Sequence, residues 1–115
     1  MLRNYETVFI MNPVLSEDQV RETVSKFEAI LKENGAEIVS SESWGLKKMA
    51  YAIQKKKSGF YHLIEFKAAG STIATLETEF RRDERIMRFL TMHLDKHAVA
   101  WAEKRRSRMS NKKNA

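Results

Sequence analysis

Between Leu2 and Met11 the chain alternates, with Tyr5, Thr7, Phe9 and Met11 on one side and Glu6, Val8 and Ile10 on the other. A period of two predicts a strand. Asn12-Pro13 ends it, because proline lacks an amide donor and restricts the residue before it. The apolar period then changes: Val20, Val24, Phe27 and Leu31 follow at steps of four, three and four, a stripe along one helix face. Ser16-Glu17-Asp18-Gln19 reads as a capping box, and its acids suit the positive end of the helix dipole. Asn34-Gly35 closes the segment, with Gly35 as a left-handed cap. A helix is therefore predicted over about Glu17–Asn34, its outer face solvated by Glu22, Glu28, Glu33, Arg21, Lys26 and Lys32.

The stretch from Trp44 to Lys67 organises the rest of the chain. Trp44–Ile53 and Phe60–Phe66 are rich in aromatic and branched residues and alternate in part, so they predict the limbs of a long hairpin. The first limb extends back to Ala36, with a bend around Ser43–Gly45, and the second covers Gly59–Lys67. Lys55-Lys56-Lys57-Ser58-Gly59 is expected as the connector, with Gly59 supplying a positive φ. A second helix starts with Ser71 or Gly70 near its N-cap and ends near Arg82, burying Ile73, Leu76 and Phe80. Ile86–His93 carries bulky residues on both faces, which predicts a strand central in its sheet.

The order β-α-β-β-α-β implies an α+β, ferredoxin-like fold: a four-stranded antiparallel sheet with two helices on one face. Such a superfold does not name a function. The expected division is a domain over residues 1–97 and a basic C-terminal tail over residues 98–115.

Composition narrows the picture. With 115 residues, 43% hydrophobic and 31% charged, the chain suits one folded domain with a modest core. It has no cysteine, which excludes disulfides, thiol nucleophiles and thiolate metal sites and suits the cytosol. No apolar run approaches the ~20 residues of a membrane span, and Met1–Glu6 does not read as a signal peptide.

Charge is unevenly placed. Residues 1–95 hold 14 basic and 14 acidic side chains, whereas residues 96–115 set seven bases against Glu103 alone. The whole net charge of +6 therefore sits in the tail, where Lys104, Arg105, Arg106 and Arg108 are its densest cluster. Such a tail points to nucleic acid or an anionic surface. A membrane is the weaker reading, because only Val99, Trp101 and Met109 offer sizeable apolar groups. The plainer alternative is a tail that merely aids solubility. Ala98–Arg106 could form a short helix, and the tail is expected to be mobile in the free protein, ordering on RNA or a neighbour. On the hairpin, Lys47, Lys48, Lys55, Lys56 and Lys57 form a second cationic surface for a polyanion.

Catalysis finds little support. No glycine-rich phosphate loop is present. His62, His93 and His97 lack the carboxylate partners of a metal site or a nucleophile–base set. Neither an enzyme, a cofactor nor a small-molecule substrate is expected. Two RNA-binding readings stay open. In the first, strand three is a stacking surface for single-stranded RNA, as in the RNA-recognition module, with Phe60, Tyr61 and Phe66 as the aromatics. However, Ser58-Gly59-Phe60-Tyr61-His62-Leu63 keeps little of that signature. In the second, a structural protein grips folded RNA through scattered cations, for which Arg81, Arg82, Arg85 and Arg88 are candidates. Internal pairing of this cluster to Asp83 and Glu84 is its structural alternative.

Several segments resemble the S-six family of bacterial small-subunit ribosomal proteins. Arg3-Asn4-Tyr5-Glu6-Thr7-Val8-Phe9 is similar to the family's opening R-x-Y-E-x-x-F, and Asn12-Pro13 with Leu15-Ser16-Glu17 follows it. Trp44-Gly45-Leu46-Lys47-Lys48-Met49-Ala50-Tyr51-Ala52-Ile53 resembles W-G-x-R/K-x-L-A-Y-P-I. Leu76-Glu77-Thr78-Glu79-Phe80-Arg81-Arg82-Asp83 with Arg88 resembles L-E-x-x-F-R-x-x-D-x-x-x-R, allowing small offsets. The departures are Met49 for leucine and Ala52 for proline. The likeness spans about residues 1–97 in collinear order.

The resemblance implies a ferredoxin-like fold without enzymatic activity and a cytoplasmic location in the ribosome. It also implies binding to the central domain of 16S ribosomal RNA, in the platform of the small subunit, as a heterodimer with ribosomal protein S-eighteen and beside other small-subunit components. On this reading Arg3, Lys47, Lys48, Arg81, Arg82, Arg85 and Arg88 are RNA or partner contacts.

Overall fold

The architecture comes from a computed structural model, which describes residues 2–53 and 56–95. Lys55 of the hairpin connector, the boundary near residue 97 and the basic tail lie outside the described residues.

Alternation in the first segment produces β1, Arg3–Met11. The capping box then starts α1, Glu17–Glu33: the Ser16 hydroxyl accepts from the Gln19 amide, and the Gln19 side chain accepts from the Ser16 amide. Asn34 caps the other end, and Gly35 follows with φ +81°. The hairpin consists of β2, Glu37–Ile53, and β3, Lys56–Ala68. Register shifts interrupt their pairing between Ile38 and Ser40 and between Ser43 and Gly45. The second is the bend expected from sequence, with Gly45 at φ +75°. α2 spans Gly70–Arg82 and β4 spans Ile86–His93.

The strand order is β2-β3-β1-β4, all antiparallel, as the ferredoxin-like reading requires. Tyr5, Phe9, Met11, Ile64, Phe66 and Ala68 face the helices and pack against Phe27, Leu31, Leu76 and Phe80. The centre of this core is aromatic: the Phe27 and Phe80 rings lie 4.4 Å apart, and Phe9 lies 5.7 Å from Phe27 and 5.1 Å from Phe80. Val20, Val24 and Ile73 are half-buried at its margin.

Three sequence expectations need correction. β4 is an edge strand, not a central one. Its bulky residues divide between two environments: Phe89 stacks on Phe80, whereas Leu90 and Met92 stand exposed on the opposite face. Gly59 lies within β3 and does not turn the hairpin. A Cβ there would meet Ile10 Cγ2 at 2.4 Å and the Met11 carbonyl oxygen at 3.0 Å, so the absent side chain permits a close approach between β3 and its neighbour β1. Finally, the N-cap of α2 is Ala69, without a side-chain cap, in place of Gly70 or Ser71.

Candidate nucleic-acid and partner interface

β1 runs from Arg3, opposite Ala68, to Met11, opposite Phe60 and Ile86. The far end of the β2–β3 hairpin and the start of β4 therefore lie at the Met11 end of the sheet. Lys47, Lys48, Lys56 and Lys57 occupy the outer part of the hairpin, where Lys47 opposes Gly59 and Lys48 opposes Ser58. Arg81 and Arg82 end α2, and Arg88 sits in β4 opposite Ile10. The fold thus gathers two cationic segments, distant in sequence, at one end of the sheet. Arg3 is exposed at the opposite end. The tail cations Lys104, Arg105, Arg106 and Arg108 lie outside the described residues.

These cations differ in how freely they can meet a phosphate. Lys47, Lys48, Lys57, Arg81, Arg82 and Arg88 are exposed, and Lys56 is half-buried. Arg81 and Arg82 reach Glu77 and Glu79 only at 3.9 and 3.8 Å, and surface pairs of this kind hold little energy. The Arg81 guanidinium also lies 5.7 Å from the centre of the Phe89 ring, which fixes its direction.

Arg85 is committed elsewhere. Its Nε donates to Asp83 Oδ1 at 2.9 Å, its Nη2 to Oδ2 at 2.7 Å, and its backbone amide to Oδ1 at 3.0 Å. Lys26 of α1 adds a bond to Oδ2 at 3.0 Å. These donors, led by the Arg85 side chain, hold the Asp83 carboxyl well below the usual carboxylate range, against the opposing effect of burial. The Asp83 pair raises the Arg85 guanidinium in turn. The cluster ties α1, the end of α2 and the start of β4 together. The sequence suggests pairing of Arg85 to Asp83 but gives no sign of Lys26, which lies a whole hairpin away.

On the face without helices, Glu6 opposes Glu65, Val8 opposes Leu63 and Ile10 opposes Tyr61. Trp44 stacks on Tyr61 at 6.5 Å between centroids, and Lys47 Nζ lies 5.3 Å from the centre of the Trp44 ring. The Trp44 indole donates to Glu42 Oε2 at 3.2 Å. Phe60 and Phe66 point instead toward the helices. Of the three aromatics in the single-strand reading, only Tyr61 faces outward. The Trp44–Tyr61 pair escapes sequence reasoning because the register shift beside Gly45 sets their alignment.

His62, on the helix side of β3, is buried. Ser41 Oγ donates to Glu28 Oε1 at 2.9 Å and lies 2.6 Å from His62 Nε2. With its one proton turned to Glu28, Ser41 accepts from Nε2–H, which leaves Nδ1 as a bare lone pair without a partner among the described residues. Burial lowers the imidazole's pKa, while Glu28 and Glu42 work the other way. This serine–histidine–carboxylate contact matches a hydrolase triad in composition only. The serine donates to the carboxylate, so the histidine has no serine proton to take. His93 is exposed, with its ring 5.4 Å from Tyr5. Among the described residues no group of three His, Asp or Glu side chains could hold a metal ion.

Comparison with known proteins bears on these features. The family model described as "Ribosomal protein S6" matches residues 4–93. The small ribosomal subunit protein bS6 of Flavobacterium johnsoniae is 67% identical over 112 residues, covering 97% of this chain and 99% of that protein. Its namesake in Bacteroides fragilis is 59% identical over 112 residues, covering 97% and 98%. Among solved structures, the 30S ribosomal protein S6 of Thermotoga maritima superposes with a TM-score of 0.80 at 28% identity, covering 93% of this chain and 99% of that one.

Proposed function

The chain belongs to the ribosomal protein S6 family, and from that premise we propose that it binds 16S ribosomal RNA in the central domain as a heterodimer with ribosomal protein S18. As a member of this family it is a structural protein of the small ribosomal subunit, located in the cytoplasm within the ribosome, and not an enzyme. The observation that carries the RNA reading is the placement of Lys47–Lys48 and Arg81–Arg88 at the same end of the sheet, on β2 at one edge and on α2 and β4 at the other. Rigid elements hold both groups, and a duplex presents phosphates and 2′-hydroxyls more readily than base edges, so shape is what they recognise. Arg82 and Arg88 are the foremost contacts, because both are exposed and neither is tightly paired. Arg85 supports them by anchoring the start of β4.

Residues 1–95 are electrically balanced, so a few local cations must do the recognising. A second protein bringing further basic surface raises affinity by joint engagement. Binding of a 16S central-domain fragment, measured with and without S18, tests this. Weak binding alone and markedly tighter binding with S18 are expected, and Arg82→Ala with Arg88→Ala weakens the ternary complex while leaving the fold intact. Equal affinity in both conditions would refute the partnership. Tight binding to an unstructured oligonucleotide would favour the outward Trp44–Tyr61 pair as a base platform.

A further inference from the structure

Near the Met11 end, the helix-free face carries an aromatic patch built on a bulge. Ser43 opposes His62 and Gly45 opposes Tyr61, so the register shift leaves Trp44 as the extra residue of β2. A bulge re-aims the side chain it carries, and Trp44 comes to lie alongside Tyr61, with the rings 6.5 Å apart and 16° from parallel. Both residues are half-buried, so part of each remains open to solvent. The indole N–H already donates to Glu42 Oε2 at 3.2 Å. What Trp44 offers a ligand is therefore its ring face and not a hydrogen bond. The row continues across the sheet, where Tyr61 opposes Ile10 and Ile10 opposes Arg88.

Charge is arranged around this patch. Lys47 opposes Gly59, and Lys57 lies two residues further out on β3, so alternation puts both on the face of Tyr61. Lys47, Lys57 and Arg88 are all exposed. The Lys47 ammonium rests 5.3 Å from the centre of the Trp44 ring. An exposed contact of that kind is weak, so an incoming ring displaces the ammonium and leaves it at the rim. Glu42 bounds the patch on its inner side, in the row of Leu63 and Val8. An anion is thus drawn to the outer and β4 sides and repelled from the inner one. Two strand spacings, ~10 Å, separate Tyr61 from Arg88. A flat base on a phosphodiester chain meets both halves of this layout, ring on ring and phosphate on cation.

We propose that Trp44 and Tyr61 form a stacking site for one unpaired nucleotide of the RNA, whose flanking phosphates are held by Lys47, Lys57 and Arg88. This deepens the RNA reading and rests on it. Recognition by stacking tolerates any base. One stacked base is too little to hold an unstructured oligonucleotide tightly; it adds to the grip on a folded fragment.

Trp44 and Trp101 are the two tryptophans of the chain, so Trp101→Phe in the full-length protein makes the emission report on Trp44 alone. Adding the 16S central-domain fragment to this protein together with S18 should quench that emission. Trp44→Leu should weaken the ternary complex about 5- to 150-fold, the range for losing one stacked base, whereas Trp44→Phe should retain most of the affinity. If Trp44→Leu does not fold, Tyr61→Leu and the quenching itself carry the test. A complex that forms with unchanged emission, or that Trp44→Leu forms as tightly as wild type, would overturn the stacking site and leave the RNA reading standing. An emission change complete with S18 alone would overturn it in favour of a protein contact. Absence of any complex with the fragment would remove the RNA reading and this site together.

Discussion

Replacing Asp83 with asparagine tests the reading of the Asp83 cluster as a structural brace. The carboxylate is buried, with its side chain 5% exposed, and it receives bonds from Arg85 and Lys26. Removing one member of a fully buried ion pair costs about 3–5 kcal/mol. Here Lys26 and Arg85 keep 39% and 32% of their side-chain surface exposed, so both can recover water. Asparagine also still accepts at Oδ1. The expected loss is therefore nearer ~2–3 kcal/mol at pH 7, or a fall in melting temperature of roughly 10–20 °C for a domain of this size. The pH dependence follows from the same bonds. Because the folded carboxyl is held below its unfolded value of ~3.9, its contribution is complete above about pH 4 and is lost as pH falls further. Urea denaturation from pH 7 to pH 2.5 should thus show the wild-type advantage shrinking below about pH 4. A loss under ~1 kcal/mol at pH 7, or an advantage that does not change with pH, would refute the brace.

Phe27→Ala should cost about 3–5 kcal/mol in chemical denaturation, since the ring is fully buried between Phe9 and Phe80. Gly59→Ala should cost about 1–3 kcal/mol, because Ile10 Cγ2 is held close to its own backbone and cannot swing away from the added methyl. His62 should add a separate pH effect. Its folded pKa is lowered by burial, so its contribution is complete above the unfolded value of ~6.5 and declines as pH falls below it. His62→Gln should remove the loss of stability that begins as pH falls below about 6.5, above the Asp83 window.

The fold is legible wherever one physical signal dominates. The S-x-x-Q box and the apolar stripe place α1 almost to the residue. The two faces of β1 come directly from alternation, because each face meets a different environment. β4 departs from expectation for an instructive reason. Bulk on both sides predicts enclosure on both sides, yet Leu90 and Met92 stand in the open. Apolar character reports what a residue can pack against, not whether a neighbouring strand supplies it. Gly59 departs similarly: glycine tolerates both positive φ and close backbone approach, and only the nearness of Ile10 distinguishes the two.

The arginines show why the candidate interface is harder to read than the core. Arg81, Arg82, Arg85 and Arg88 share a residue type and a short stretch of chain, and composition treats them alike. Their availability depends on partners that arrive from elsewhere. Asp83 is fixed by the turn after α2 and by Lys26 reaching across from α1, and it then captures Arg85 in a two-pronged bond. Arg88 alternates to the opposite face of β4, beside Val8 and Ile10, where no carboxylate meets it among the described residues. The same alternation that turns Phe89 onto Phe80 thus exposes Arg88. A phosphate-binding surface is consequently defined less by where arginines occur than by which of them the fold leaves without an internal anion.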